Sequence, residues 1–105
     1  MRRSFSAGKL AALRELPSAT ALERIATAVK ADPSYHPLKE RSSRRWHVRT
    51  ASGEFEILTT GTKWYDTRAK KGGGGAIDLA MHLLRLPFVD AVRRLITEEH
   101  GPDHS

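Results

Sequence analysis

Four consecutive glycines, Gly72–Gly75, stand between a short aromatic run, Lys63-Trp64-Tyr65-Asp66, and an apolar stretch that begins Ala76-Ile77-Asp78-Leu79. So much backbone freedom interrupts any regular element, and the pattern changes across it from strand-like to helical spacing. The run is therefore a strand-to-helix junction. Glycine has no Cβ, which leaves two uses open: a tight turn with positive φ, or a corner whose bare amides, with the N-terminus of the following helix, hold an anion. Lys63, Arg68, Lys70 and Lys71 surround the junction against a single acid, Asp66, giving a local charge of +3. The anion that suits such a corner is a phosphate, here with Gly73 and Gly74 offering backbone amides.

Working outward from this point, Leu10, Leu13 and Leu16 form a short helical stripe within 9–16 that stops at Pro17. A second helix, capped by Ser18 or Thr20, carries Leu22, Ile25, Ala26 and Val29 at helical spacing and ends at Asp32-Pro33. Residues 33–43 read as a loop. The period then becomes two: 45–50 and 54–59 alternate around Ala51-Ser52-Gly53, and Thr60-Gly61 turns into a third strand at 63–66. Beyond the glycines, Ile77, Ala80, Met81 and Leu84 share one helical face. Leu86-Pro87 breaks the chain, and a last helix directs Phe88, Val92, Leu95 and Ile96 inward. The predicted order is α-α-β-β-β-α-α. Segments 1–17, 18–97 and 98–105 read as a basic arm with a short helix, one α+β domain built on a three-stranded antiparallel sheet, and a tail.

At 105 residues and 39% hydrophobic content, one small core is affordable but not two domains. The net charge of +6 favours a polyanionic partner, and the excess is uneven: residues 1–50 carry +7 and residues 51–105 carry −1. No lipidation signal or long apolar run points to a membrane, and a cytoplasmic location is expected. The chain has no cysteine, which excludes disulfides and thiolate metal sites. His36, His47, His82, His100 and His104 are scattered, and Gly101-Pro102 interrupts the one helically spaced pair, so no metal and no cofactor are expected. No Gly-Lys-Ser/Thr follows the glycines and no paired carboxylates accompany them, so no catalytic residues are assigned and an enzyme is not expected. Asp78, His82 and Arg85 fall on one helical stripe and read as a salt-bridged surface.

The segment GGGGAIDLAMHLLRLPFVDAVRRLI, with the strand and turn before it, resembles the end of the zinc-binding domain of bacterial replicative primases. It is more similar still to primase-like modules of plasmid and integrative-element proteins. The matching positions are Trp64, Tyr65, Asp66, Gly73, Gly74, Ala76, Ile77, Asp78, Phe88, Ala91 and Val92, and the match spans about residues 44–97. Primase domains of this kind hold zinc with three cysteines and a histidine, whereas residues such as Thr67 and Lys70 stand at the cysteine positions here. The resemblance implies a metal-free, zinc-ribbon-like relative, its sheet stabilised by buried aromatics, which engages DNA without making phosphodiester bonds.

Lys39, Arg41, Arg44, Arg45 and Arg49 against Glu40 give +4 over eleven residues beside Trp46. Such a segment reads either as solvated charge or as a cationic rim beside an aromatic platform, on which bases stack while phosphates are held. If Trp46 packs inward, His47 and Arg49 face outward. The expected interface is therefore Lys39, Arg41, Arg44, Arg45, His47 and Arg49 together with Lys63, Trp64, Tyr65, Arg68, Lys70, Lys71, Gly73 and Gly74. Its expected ligand is DNA, single-stranded before duplex, in plasmid or mobile-element replication or transfer, with a replication or transfer protein as a possible further partner. The competing expectation is a protein-interaction or inhibitory module on the same scaffold.

Overall fold

The computed structural model describes residues 6–37 and 42–100, the last four for their backbone alone. Helix α1, Ala7–Arg14, starts where the Ser6 hydroxyl accepts the Lys9 amide at 3.1 Å, and its Leu13 is buried in the core. Helix α2 is Ser18–Ile25, with Pro17 rather than Ser18 or Thr20 at its N-cap. The Ser18 amide is already taken by the Gly61 carbonyl at 2.8 Å, which ties α2 to the sheet.

The predicted second helix is too long. Ala26 is extended (φ −87°, ψ 148°), and both the amide and the hydroxyl of Thr27 donate to the Arg49 carbonyl, at 2.8 and 2.9 Å. That pairing starts strand β1, Ala28–Ala31, where alanines with one valine had looked helical. Strand β2 is Arg44–Thr50, β3 is Gly53–Thr60, β4 is Lys63–Asp66 and β5 is Lys71–Gly74. The result is an α+β fold with a five-stranded antiparallel sheet in the order β1-β2-β3-β4-β5, where three strands were expected. Both additions are edge strands of four residues, Ala-Val-Lys-Ala and Lys-Gly-Gly-Gly, poor in the branched and aromatic side chains that mark a strand. Such strands are specified by ladder bonds to a neighbour more than by their own propensity.

The glycines are thus mostly strand. Only Gly75 has positive φ, 91°, as the N-cap of helix α3, Ala76–Leu84. Arg85 closes α3 in the left-handed region, and helix α4 runs from Phe88 to His100, past the point where a tail was predicted. Phe88, predicted inward, is 39% exposed.

Strand alternation divides the sheet. Val48, Ile57 and Trp64 on β2, β3 and β4 face the helices and pack with Leu22, Ile25, Leu79, Leu83, Val92 and Leu95, each such side chain contributing roughly 1.5–3 kcal/mol on burial. The opposite face, bearing Lys30, Arg45, His47, Arg49, Glu54, Glu56, Leu58, Lys63 and Tyr65, is covered by no described helix.

Candidate nucleic-acid interface

The register of β2 against β3 decides the electrostatics of the open face. His47 lies opposite Glu56, Arg49 opposite Glu54 and Arg45 opposite Leu58. Arg49 bonds Glu54 at 2.9 Å, and Arg45 bonds Asp32 at 2.8 Å and approaches Glu56 at 3.9 Å. Arg45 and Arg49 of the expected cationic rim are therefore matched by acids from β3 and from the end of β1. The Arg49–Glu54 pair is more than half exposed on both sides, so it is worth only about 0.2–1 kcal/mol and yields readily to a phosphate. The Arg44 guanidinium donates to the Ser43 carbonyl at 3.0 Å. Lys39 and Arg41 lie outside the described residues.

Asp32 organises one corner of this face. Its Oδ1 accepts the Ser34 amide at 2.9 Å and the Ser34 hydroxyl at 2.6 Å, while Oδ2 takes Arg45 at 2.8 Å and the His47 ring at 3.3 Å. The Ser34 bonds, with help from Arg45, hold the carboxyl far below the ordinary carboxylate range. Arg45 in turn sits 5.1 Å from the centre of the Tyr35 ring, a cation–π distance. Sequence reading missed Asp32 and Tyr35; the signal available was Asp-Pro-Ser, whose carboxylate and hydroxyl favour a local turn.

At β4 the alternation separates two aromatics that the sequence had paired as ligands. Tyr65 is on the open face and 41% exposed, whereas Trp64 is 3% exposed on the helix side. Trp64 stacks on His82 (centroids 4.9 Å apart, planes 29°), and Phe55 meets the same ring edge-on at 6.2 Å. His82 Nε2 also lies 2.7 Å from Asp66 Oδ2, so it pairs with β4 rather than with Asp78 on its own helix. Burial pushes the Asp66 carboxyl up, but the Ala69 amide, the His82 ring and the Arg68 amide outweigh it and leave it below the ordinary value. The two amides, at 3.0 and 2.9 Å from Oδ1, also fold the β4–β5 turn that carries Arg68, Lys70 and Lys71 into solvent. Arg68 reaches the Glu54 carbonyl at 3.4 Å; Lys63, Lys70 and Lys71 make no ion pair among the described residues.

Gly73 faces inward, where the Asp78 carboxylate and the Trp64 indole fill the space a Cβ would need. A carboxylate thus sits at the N-terminal end of α3, and the Gly75 amide is spent on the Thr62 carbonyl at 2.8 Å. The phosphate corner expected at Gly73 and Gly74 is replaced by an internal acid at the positive end of the helix. Gly72 and Gly74 instead share the open face with Tyr65 and Lys63, leaving bare backbone beside them. Thr67 bonds the Glu56 carboxylate at 3.0 Å, and no group of three metal-ligating side chains assembles among the described residues.

A cleft of about 640 Å³ opens at the Tyr65 end, lined by Tyr35, Leu58 and Tyr65 together with Ser43, Thr60, Gly61, Thr62, Lys63 and Trp64. A second groove of about 510 Å³ lies between Arg14, Lys63, Ile77, Asp78, Met81 and Phe88. No described helix is long and apolar enough to cross a membrane. Comparison with protein-family models, curated proteins and solved structures returns no match.

Proposed function

We propose that this chain is a non-enzymatic module that binds single-stranded DNA across the uncovered face of its sheet. The observation that carries the reading is the exposed Tyr65 ring, set on an open sheet between the bare glycine backbone of β5 and Lys63, whose ammonium has no ion pair among the described residues. A base stacked on such a ring gains roughly 1–3 kcal/mol, and every base has a face to offer. Lys63 and Lys70, with Arg49 recruited from its weak pair, supply phosphate contacts along the same side, whereas Lys71, opposite Asp66, falls on the other face of the edge strand. Duplex DNA, whose bases are already stacked, cannot use Tyr65 in this way. The resemblance to primase-like modules of plasmids and integrative elements suggests the setting, an accessory role in their replication or transfer.

Titration of labelled single-stranded and duplex oligonucleotides at two salt concentrations tests this. With about three or four phosphates neutralised, the expected log–log salt slope for single strands is about −2 to −3, with weaker duplex binding. Equal binding of both forms removes the stacking role of Tyr65, and no binding of either refutes the proposal. The second reading, a protein-interaction module, is favoured by the exposed Phe88 beside Met81 and Ile77. It calls for salt-insensitive partner binding and no DNA mobility shift.

A further inference from the structure

We infer that the cleft between Tyr35 and Tyr65 is a slot for one unstacked nucleobase, with Asp32 as the positioning residue that holds the Tyr35 wall. This inference rests on the single-strand reading above and names what that face would grip. The cleft, about 640 Å³, lies in the range of small-molecule sites. Two tyrosines and an aliphatic residue, Leu58, are among its lining, which is the chemistry a flat aromatic ligand needs. Its polar groups are the hydroxyls of Ser43, Thr60 and Thr62; those of Ser43 and Thr60 already bond each other at 2.6 Å, which spends one of their two protons, so the pair and Thr62 together still offer acceptors and two donors to a base edge. Among the described residues its one charged side chain is Lys63 and no carboxylate lines it, which favours a phosphate attached to the base.

Tyr35 is held in place before any ligand arrives. Asp32 gathers Ser34 with one oxygen and Arg45 and His47 with the other, the Tyr35 amide reaches the Asp32 carbonyl at 3.3 Å, and the Arg45 guanidinium lies against the ring. Arg45 and Tyr35 therefore already form the first layers of a stack that an inserted base would extend. A wall that is pre-set in this way loses little entropy when the base enters. Arg45, expected from its charge to hold phosphate, acts here through Tyr35 instead.

Affinity for a fluorescent single-stranded oligonucleotide, measured at two salt concentrations, separates the possibilities. Tyr35→Ala and Tyr35→Leu should each weaken binding by about five- to a hundredfold, the worth of one base–aromatic stack, and leave the salt slope unchanged. Tyr35→Phe should stay within about twofold, since it keeps the ring. Asp32→Ala should resemble Tyr35→Leu in affinity, with an unchanged slope, whereas Lys63→Ala should lower both affinity and slope. As a readout independent of the oligonucleotide, a thymidine or adenosine monophosphate should quench tyrosine fluorescence saturably in the parent and not in Tyr35→Leu. If the Tyr35 variants bind like the parent while Tyr65→Ala and Lys63→Ala bind weakly, the slot is refuted and the single-strand reading stands. If the parent binds no oligonucleotide and no mononucleotide, both fall.

Discussion

Gly73 and Gly74 are chemically identical neighbours in one strand, yet the structure assigns them opposite sensitivities. A Cβ built on Gly73 meets Cζ2 of Trp64 at 2.8 Å and Cε2 at 3.1 Å, besides the Asp78 carboxylate. Carbon atoms rest at about 3.5–4.0 Å, so the indole would have to retreat by about 0.7 Å. Asp78 is exposed and swings aside cheaply; Trp64 is 3% exposed and stacked on His82, with no room behind it. Gly73→Ala should therefore cost about 1–3 kcal/mol, as overpacked cores do. Gly74 has no heavy atom within 4 Å of the same position and no left-handed φ. Gly74→Ala should be neutral or stabilise by up to about 1 kcal/mol through the unfolded chain. The gap of at least about 1 kcal/mol should appear as melting temperatures separated by about 4 °C or more in thermal unfolding followed by circular dichroism. Trp64→Phe in the Gly73→Ala background should recover part of the loss, because it removes the clashing ring and Trp64 Nε1 has no hydrogen-bond partner among the described residues. Equal melting temperatures for the two alanine variants would refute the register of β5 against β4.

Asp66 has a folded-state pKa below its ordinary 3.8, so its contribution to stability is complete above that value and is lost as pH falls through the folded-state one. The urea midpoint should drop below about pH 4, and less steeply in Asp66→Asn, itself about 1–3 kcal/mol less stable at neutral pH; parallel pH profiles would rule Asp66 out. Lys70 sits at φ 57°, so Lys70→Gly should raise stability by up to about 1 kcal/mol while removing a phosphate contact and reducing the salt slope by up to about 0.7. Loss of stability or an unchanged slope contradicts its proposed place in the turn. Because Thr67 is engaged by Glu56 and the chain has no cysteine, chelator should leave the melting curve unchanged; a fall of several degrees would reveal a structural metal.

How much was legible in the sequence follows from what each residue depends on. The β2–β3 hairpin and α3 carry their own period, two for Arg45–Thr50 and 3.6 for Ile77–Leu84, and both were readable. Strands β1 and β5 were not, because Ala28–Ala31 and Lys71–Gly74 become strands through bonds to β2 and β4 that local pattern does not encode. The aromatics of the site were half legible: alternation puts Trp64 and Tyr65 on opposite faces, but which face the helices cover is a tertiary fact. The cationic segment misled because charge was counted along the chain. Paired in register, Glu54 and Glu56 stand opposite Arg49 and His47, and the net field of that region shrinks accordingly.

Strand β4 concentrates the division of labour in four residues. Trp64 and Asp66 point to the helices, and both engage a single side chain, His82, one by stacking and the other by a hydrogen bond of 2.7 Å. Lys63 and Tyr65 point away and engage nothing charged among the described residues. A strand fixed on one face by its inward pair can present its outward pair without movement, so ligand binding there need not reorganise the core. The Asp66 carboxylate gathers the turn amides from inside, and His82 anchors that carboxylate to α3, so that one buried acid joins sheet, turn and helix.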